Sequence, residues 1–451
     1  MKFEDAINLF RTKNFNEAIE VFLNLKKKIK ENPDINFYLG LCYFELNSFD
    51  KSIEYLKKSI KIDPNFYRAL YNLALVYQTL GKVNLAKNIY FNLLKKNKYF
   101  VRPYIGLYNL DPNLILNSHY LIISEISKKE KLSDFEKSMV AFILSKNEKK
   151  KKNYKTELQY LKKYHYLCFN SNLALNHQSE FYYDKIISRF YNKIQFNNIS
   201  DKHKLSTISP IFIIGLPRSG STLIETILTS SDKKLKSCGE SNIFNMCIVE
   251  NIKNKIFSKS FNVNEKILYI DHLKILENLK KKYKSQNILE NEIFIDKSLE
   301  NFFNIEVILK ILPNAKFIHT YRNYNDSILS IYQSSLHQLS WTHKIESITK
   351  YINNYLMIIK FFKNKYKNKI LDVSLEDLSN SEEKVFENIF NFCSIKWDKK
   401  FLDLERRKTS FVKTLSGMQV RKKISKYDNE KYRPYYYLLK DYKKKYEWIN
   451  F

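Results

Sequence analysis

Glycine is scarce. The chain has seven among 451 residues, where average usage would give roughly thirty. They stand at Gly40, Gly81, Gly106, Gly215, Gly220, Gly239 and Gly417, and each is expected to mark a place where a side chain does not fit. Proline, at eight, and tryptophan, at three, are also few. The five cysteines (Cys42, Cys168, Cys238, Cys247, Cys393) are scattered and odd in number, with no CxxC pair. That speaks against a zinc site and a disulfide framework and fits a reducing compartment. No run of about 20 apolar residues occurs, which argues against a membrane span. The first fifteen residues carry Glu4 and Asp5 and lack the apolar core of a secretory signal, so a cytoplasmic location is expected. Acidic residues are outnumbered, 47 against 77 Lys and Arg, for a net charge of +30. A polyanion partner would account for this excess. Composition accounts for it better: the chain is rich in Lys, Asn, Ile, Tyr and Phe. Runs such as Lys149–Lys152, Lys280–Lys282 and Lys443–Lys445 suit solvated helix faces. No specific nucleic-acid partner is expected.

What is present begins with a repeat. Gly40, Tyr43, Ser52, Leu56 and Ser59 are matched thirty-four residues later by Ala74, Tyr77, Ala86, Tyr90 and Leu93, and thirty-four earlier by Ala6, Leu9, Ala18, Phe22 and Leu25. Small residues recur where two helices approach closely, and large ones where the pair packs on its neighbour. Pro33 and Pro64 start or stop helices, and Gly81 falls in an inter-helix turn. The pattern resembles the tetratricopeptide repeat, with three repeats over 1–32, 33–66 and 67–100 and a weaker fourth expected from Arg102. Residues 111–204 read as a helical extension and linker. Helices are expected over 134–146, capped by Ser133, and over 153–168, with Asn147–Lys152 as their exposed connection and a polar link over Asn197–Ser209.

At residue 210 the texture changes. Pro210-Ile-Phe-Ile-Ile-Gly215 is a continuous apolar run, as in a buried parallel strand. Leu216-Pro-Arg-Ser-Gly-Ser-Thr222 follows, then a helix from Leu223. Strand, glycine-bearing loop and helix form an anion-binding arrangement, because backbone N–H groups and the helix dipole face the ligand. The spacing of Gly215 and Gly220 is that of the P-loop, but Ser221 stands where that motif has lysine, which disfavours an ATPase or GTPase. Arg218 lies inside the loop instead, and a guanidinium binds phosphate or sulfate bidentately. Phe294-Ile-Asp-Lys-Ser298 reads as a strand end. Lys316–Arg322 reads as a strand with arginine at its C-terminal end, followed by a helix from Asp326 that carries Ser330. In open α/β sheets such strand ends are where ligands bind.

Taken together, these segments resemble a sulfotransferase. IFIIGLPRSGSTLIETIL is similar to the 5′-phosphosulfate loop of the tyrosylprotein and bacterial repeat-linked branches, and NAKFIHTYRNYNDSILSIYQ to the segment holding the donor's 3′-phosphate. DKSLENF resembles the family's D-K-x-P-x-N-F pattern with Leu299 in place of proline. ILDVSLEDL (370–378) and VKTLSGMQVRKKISKY (412–427) resemble its C-terminal segments.

The resemblance implies an α/β domain with a central parallel sheet over 205–451, following tetratricopeptide repeats over 1–110 and the extension over 111–204. It implies 3′-phosphoadenosine-5′-phosphosulfate (PAPS) as donor, no metal, and in-line transfer to an acceptor hydroxyl of a peptide tyrosine, a glycan, or a small lipid or metabolite. A peptide, protein or glycan acceptor would be held by the repeats. By matching positions, Arg218, Ser219, Gly220, Ser221 and Thr222 hold the 5′ end, and Arg322 and Ser330 the 3′-phosphate. Lys297 and Ser416 serve the leaving oxygen, and Glu240, in Cys238-Gly-Glu240, is the general base, with Asp296 and His319 as weaker candidates. Lys422, Lys423 and Lys426 are candidates to close over the donor. A nucleotide kinase or other NTPase with a degraded loop, and a non-catalytic repeat scaffold, are the competing readings.

Overall fold

The computed structural model describes residues 2–29, 31–129, 131–196, 205–232, 235–258, 261–286, 293–404, 407, 412–414 and 416–451. The stretch 197–204, which holds most of the expected polar link and the boundary at 204, lies outside them. Two compact units are formed: Met1–Tyr160 with Phe411–Met418, and Leu161–Ser410 with Gln419–Phe451. The helical extension expected over 111–204 therefore contributes to both, and Ser416 falls in the first.

In the first unit the 34-residue frame becomes paired helices: α1 (Phe3–Arg11), α2 (Phe15–Lys28), α3 (Pro33–Glu45), α4 (Phe49–Ile62), α5 (Tyr67–Thr79), α6 (Val83–Lys96) and α7 (Val101–Leu110). Ala6, Ala18, Ser52, Ala74 and Ala86 are fully buried, as the spacing requires. A Cβ at Gly40 would lie 2.7 Å from the Leu56 side chain, and the Ser52 hydroxyl donates to the Gly40 carbonyl at 2.7 Å, so α3 and α4 meet backbone to side chain. Asn32 caps α3 by accepting from the Ile35 N–H, with Pro33 in the first turn. Next come α8 (Asn117–Ser127), α9 (Asp134–Lys150) and α10 (Tyr154–Asn170). Ser133 and Glu136 form a capping box on α9. The α9 helix runs past its expected end at 146 to Lys150, and only Lys151 and Lys152 of the lysine run form the turn.

The second unit is built on parallel strands. β1 (Ile194–Phe196) pairs with β4 (Leu268–Ile270). β2 (Ser209–Gly215), β3 (Lys236–Ser237), β5 (Ile293–Asp296), β6 (Lys316–Tyr321) and β7 (Ile370–Ser374) form a five-stranded sheet in the order β3-β5-β2-β6-β7, parallel throughout. Ile211, Ile213, Ile295, Ile318 and Val373 pack one face of the sheet against Ile224, Ile227 and Leu228 of the helix Ser221–Ser231 and against Phe386, Ile389 and Phe390. On β2 and β6 the alternate residues Phe212 and Phe317 stack at 5.4 Å. Because all strands run one way, the loop after β2, the turn after β5 and the arginine after β6 emerge at one edge.

Gly215 has φ +140°, and a Cβ there would lie 2.1 Å from the Thr320 carbonyl oxygen of β6. That atom is backbone and cannot step aside. Gly215→Ala is expected to destabilise the second unit by about 3 kcal/mol, read as a lower urea midpoint. An unchanged midpoint would show that the β2–β6 approach is looser than this register.

Candidate active site

The loop after β2 is shaped by two left-handed residues, Arg218 (φ +70°) and Gly220 (φ +91°). The Ser219 hydroxyl, buried, donates to the Leu216 carbonyl at 2.6 Å and lies 2.7 Å from Thr320 Oγ1. Ser219 thus ties the loop to itself and to β6, while Ser221 and Thr222 open the helix, both buried. Arg218 donates from Nη2 to Gln419 Oε1 at 3.0 Å. Burial, together with the like charge of Arg322, holds its guanidinium below the ordinary value.

Arg322 leaves the end of β6 and is 7% exposed. It donates to the Tyr427 hydroxyl from Nε at 3.1 Å and Nη2 at 2.7 Å, to Asp326 Oδ2 at 3.3 Å, and to the Arg218 carbonyl at 3.5 Å. Asp326 in turn accepts from Tyr427 at 2.5 Å and from Tyr436 at 2.8 Å. Burial opposes the charge on Arg322, but the oxygens of Tyr427, Tyr432 and Asp326 outweigh it and hold the guanidinium above its ordinary value. Asn323 caps the helix Tyr324–Tyr332, which carries Asp326 and buried Ser330. The structure therefore brings the β2 loop and Arg322 together. It adds an aspartate and two tyrosines that sequence reasoning missed. Tyr427, in the same segment as Lys422, Lys423 and Lys426, is the residue that reaches Arg322.

The third part lies at the end of β5. Lys297 is fully buried, with its Nζ 2.8 Å from Glu240 Oε1, 3.2 Å from Glu225 Oε2 and 3.5 Å from Thr222 Oγ1. Burial alone would lower this lysine. The charges of Glu225 and Glu240 outweigh burial and raise it. Glu225, 13% exposed, also accepts from the Ser237 hydroxyl at 2.5 Å. Glu240 is 54% exposed and is the carboxylate of this cluster that faces solvent. Glu225 was not foreseen, though a signal existed: it is the single charged residue in the helix STLIETILTSS.

The weaker base candidates are enclosed. Asp296 is fully buried, and burial pushes its carboxyl up to about 6 against the hydrogen bonds from Ser298, with the charge of Glu225 adding to the rise. His319 is held between Asp372 Oδ1, at 2.7 Å from Nδ1, and the Tyr355 hydroxyl at Nε2. Burial lowers its imidazole below the ordinary value. It is a satisfied core histidine pinning the helix Ile345–Lys365 to β6.

Among the described residues, no helix is long and apolar enough to cross a membrane. Over 436 residues the chain is 23% identical to an uncharacterized protein of Aquifex aeolicus (strain VF5). The match covers 94% of this chain and 56% of that protein, so the chain spans about half the length of the curated relative it matches. Among solved structures it resembles the sulfotransferase domain of the Synechococcus PCC 7002 olefin synthase, with 18% identity, 53% of this chain and 91% of that one covered, and a TM-score of 0.33. It also resembles a sulfotransferase from Alicyclobacillus acidocaldarius, with 12% identity, 52% and 92% covered, and a TM-score of 0.31. Residues 40–81 match the model of the TPR repeat, and residues 210–399 match that of the Sulfotransferase family. The chain is a helical region of tetratricopeptide type followed by a domain on a central parallel sheet that matches the sulfotransferase family over residues 210–399.

Proposed function

We propose that the chain transfers a sulfuryl group from PAPS to an acceptor hydroxyl. The observation that carries this reading is the position of Lys297. Its ammonium is buried beside Thr222 of the anion-binding loop and in contact with a solvent-facing carboxylate, Glu240. The loop N–H groups, Arg218, Ser219, Gly220, Ser221 and Thr222 would hold the 5′-phosphosulfate. Arg322 and Ser330 would hold the 3′-phosphate. The acceptor oxygen attacks sulfur, the bond from sulfur to the 5′-phosphate oxygen breaks, and the acceptor proton passes to Glu240. Charge growing on the leaving phosphate oxygen is met by Lys297, a buried ammonium already in place. Sulfuryl transfer to protein tyrosine or to a glycan both suit this chemistry. The repeats favour a macromolecular acceptor, since such arrays present extended binding surfaces.

The test is transfer of labelled sulfate from PAPS into fractionated cell extract. Glu240→Gln keeps size and removes the basic oxygen, so it is expected to lower turnover by a factor of about 100 or more. Affinity for adenosine 3′,5′-bisphosphate, followed by calorimetry, should stay within a few fold. Full activity in that variant would place the base elsewhere.

A further inference from the structure

Glu240 sits in a loop that is irregular by itself. Gly239 and Asn242 are both left-handed, with φ +58° and +54°. What holds this loop is the end of β5. The Cys238 N–H donates to the Ile295 carbonyl at 2.8 Å, and the Lys297 N–H to the Gly239 carbonyl at 3.0 Å. The Asn242 N–H donates to Ser298 Oγ at 2.8 Å. Ser298 is in turn oriented by Asp296, whose Oδ1 accepts the Ser298 N–H at 3.0 Å. Three hydrogen bonds thus clamp 238–242 onto 295–298, and the Lys297 and Glu240 side chains meet across the seam.

We infer that Asp296 and Ser298 are positioning residues for the transfer, locking the 238–242 loop so that the Glu240 carboxylate is presented beside the Lys297 ammonium. The inference rests on the reading of Glu240 and Lys297 above. Asp296 touches no reacting atom: it is fully buried. Glu225 approaches it from the helix Ser221–Ser231, Cys238 from the loop, Tyr283 from the helix His272–Ser285, and Lys297 follows it in the turn. Its carboxyl is raised to about 6. Below that pH the Ser298 N–H faces a neutral acceptor, and above it a charged and stronger one. Turnover should therefore rise with pH through about 6 as the clamp tightens.

The test uses the full chain with two conservative variants, Asp296→Asn, which keeps an acceptor oxygen, and Ser298→Ala, which removes the acceptor for Asn242. Both are expected to speed amide exchange at 238–242 in the unliganded protein. Both should lower kcat by on the order of 10- to 100-fold with donor KM nearly unchanged, and Asp296→Asn should erase the rise in kcat near pH 6. Unchanged exchange in both variants overturns the clamp. Faster exchange with kcat within twofold of wild type, or a pH rise that persists in Asp296→Asn, overturns the positioning role. A wild type that transfers no sulfuryl group removes the proposed function instead, and exchange then still decides the clamp.

Discussion

Replacing Arg322 with alanine weakens binding of adenosine 3′,5′-bisphosphate by about 10- to 100-fold, and binding of adenosine 5′-monophosphate by less than about threefold. The first figure follows from the loss of a charge-assisted contact worth about 1.5–3 kcal/mol. The second follows because the monophosphate lacks the group that Arg322 is proposed to hold. The variant has a second effect. Asp326 is 2% exposed and is balanced by Arg322 as well as by two tyrosine hydroxyls, so removing the guanidinium leaves a buried carboxylate. That costs about 3 kcal/mol of stability. Arg322→Ala in an Asp326→Asn background separates the two effects: the stability loss should shrink while the nucleotide discrimination stays. Calorimetry with both nucleotides, beside thermal melts, gives the answer. Equal weakening for both nucleotides would remove Arg322 from the 3′ site.

The sheet was legible because its central strands are continuous apolar runs flanked by sharp changes of texture. Pro210–Gly215 and Lys316–Tyr321 could hardly be placed on a surface. The two-residue strand Lys236–Ser237 was not legible. Neither residue is apolar, and the strand exists because the main chain of 236–237 meets that of β5. In the repeats, period and small residues were enough, since helix pairs at fixed spacing need them wherever backbones touch. The site divides the same way. Lys297 was singled out only by the resemblance, whereas Arg218 and Arg322 were readable because each stands next to a strand end. Glu225 was not, since its partner Lys297 lies in a different crossover of the sheet and no periodic pattern links them. Tyr427 and Tyr436 belong to a stretch of short turns, where side-chain direction follows from tertiary packing alone, so their convergence on Asp326 leaves no trace in spacing.

Lys297 offers the sharpest separation of folding from chemistry. Lys297→Met deletes the ammonium and keeps most of the packed volume. The two carboxylates it serves respond differently. Glu240 is more than half exposed and turns to water, whereas Glu225, 13% exposed, keeps the Ser237 hydroxyl as its partner in a site built around a cation. An uncompensated buried charge costs about 3–5 kcal/mol, so Lys297→Met should lower the melting temperature clearly. Adding Glu225→Gln removes that charge while keeping an oxygen for Ser237, and most of the lost stability should return. Transfer should not. If Lys297 serves the leaving phosphate as proposed, turnover is expected to fall by on the order of 10³-fold in the single and the double variant alike, even though the double variant is well folded. Thermal melts paired with single-turnover transfer from PAPS read both effects. A double variant that melts as low as the single one would show that the Glu225 charge is not what Lys297 balances. A double variant that transfers at near the wild-type rate would reduce Lys297 to a structural counter-ion and leave the leaving oxygen to the loop N–H groups and Arg218.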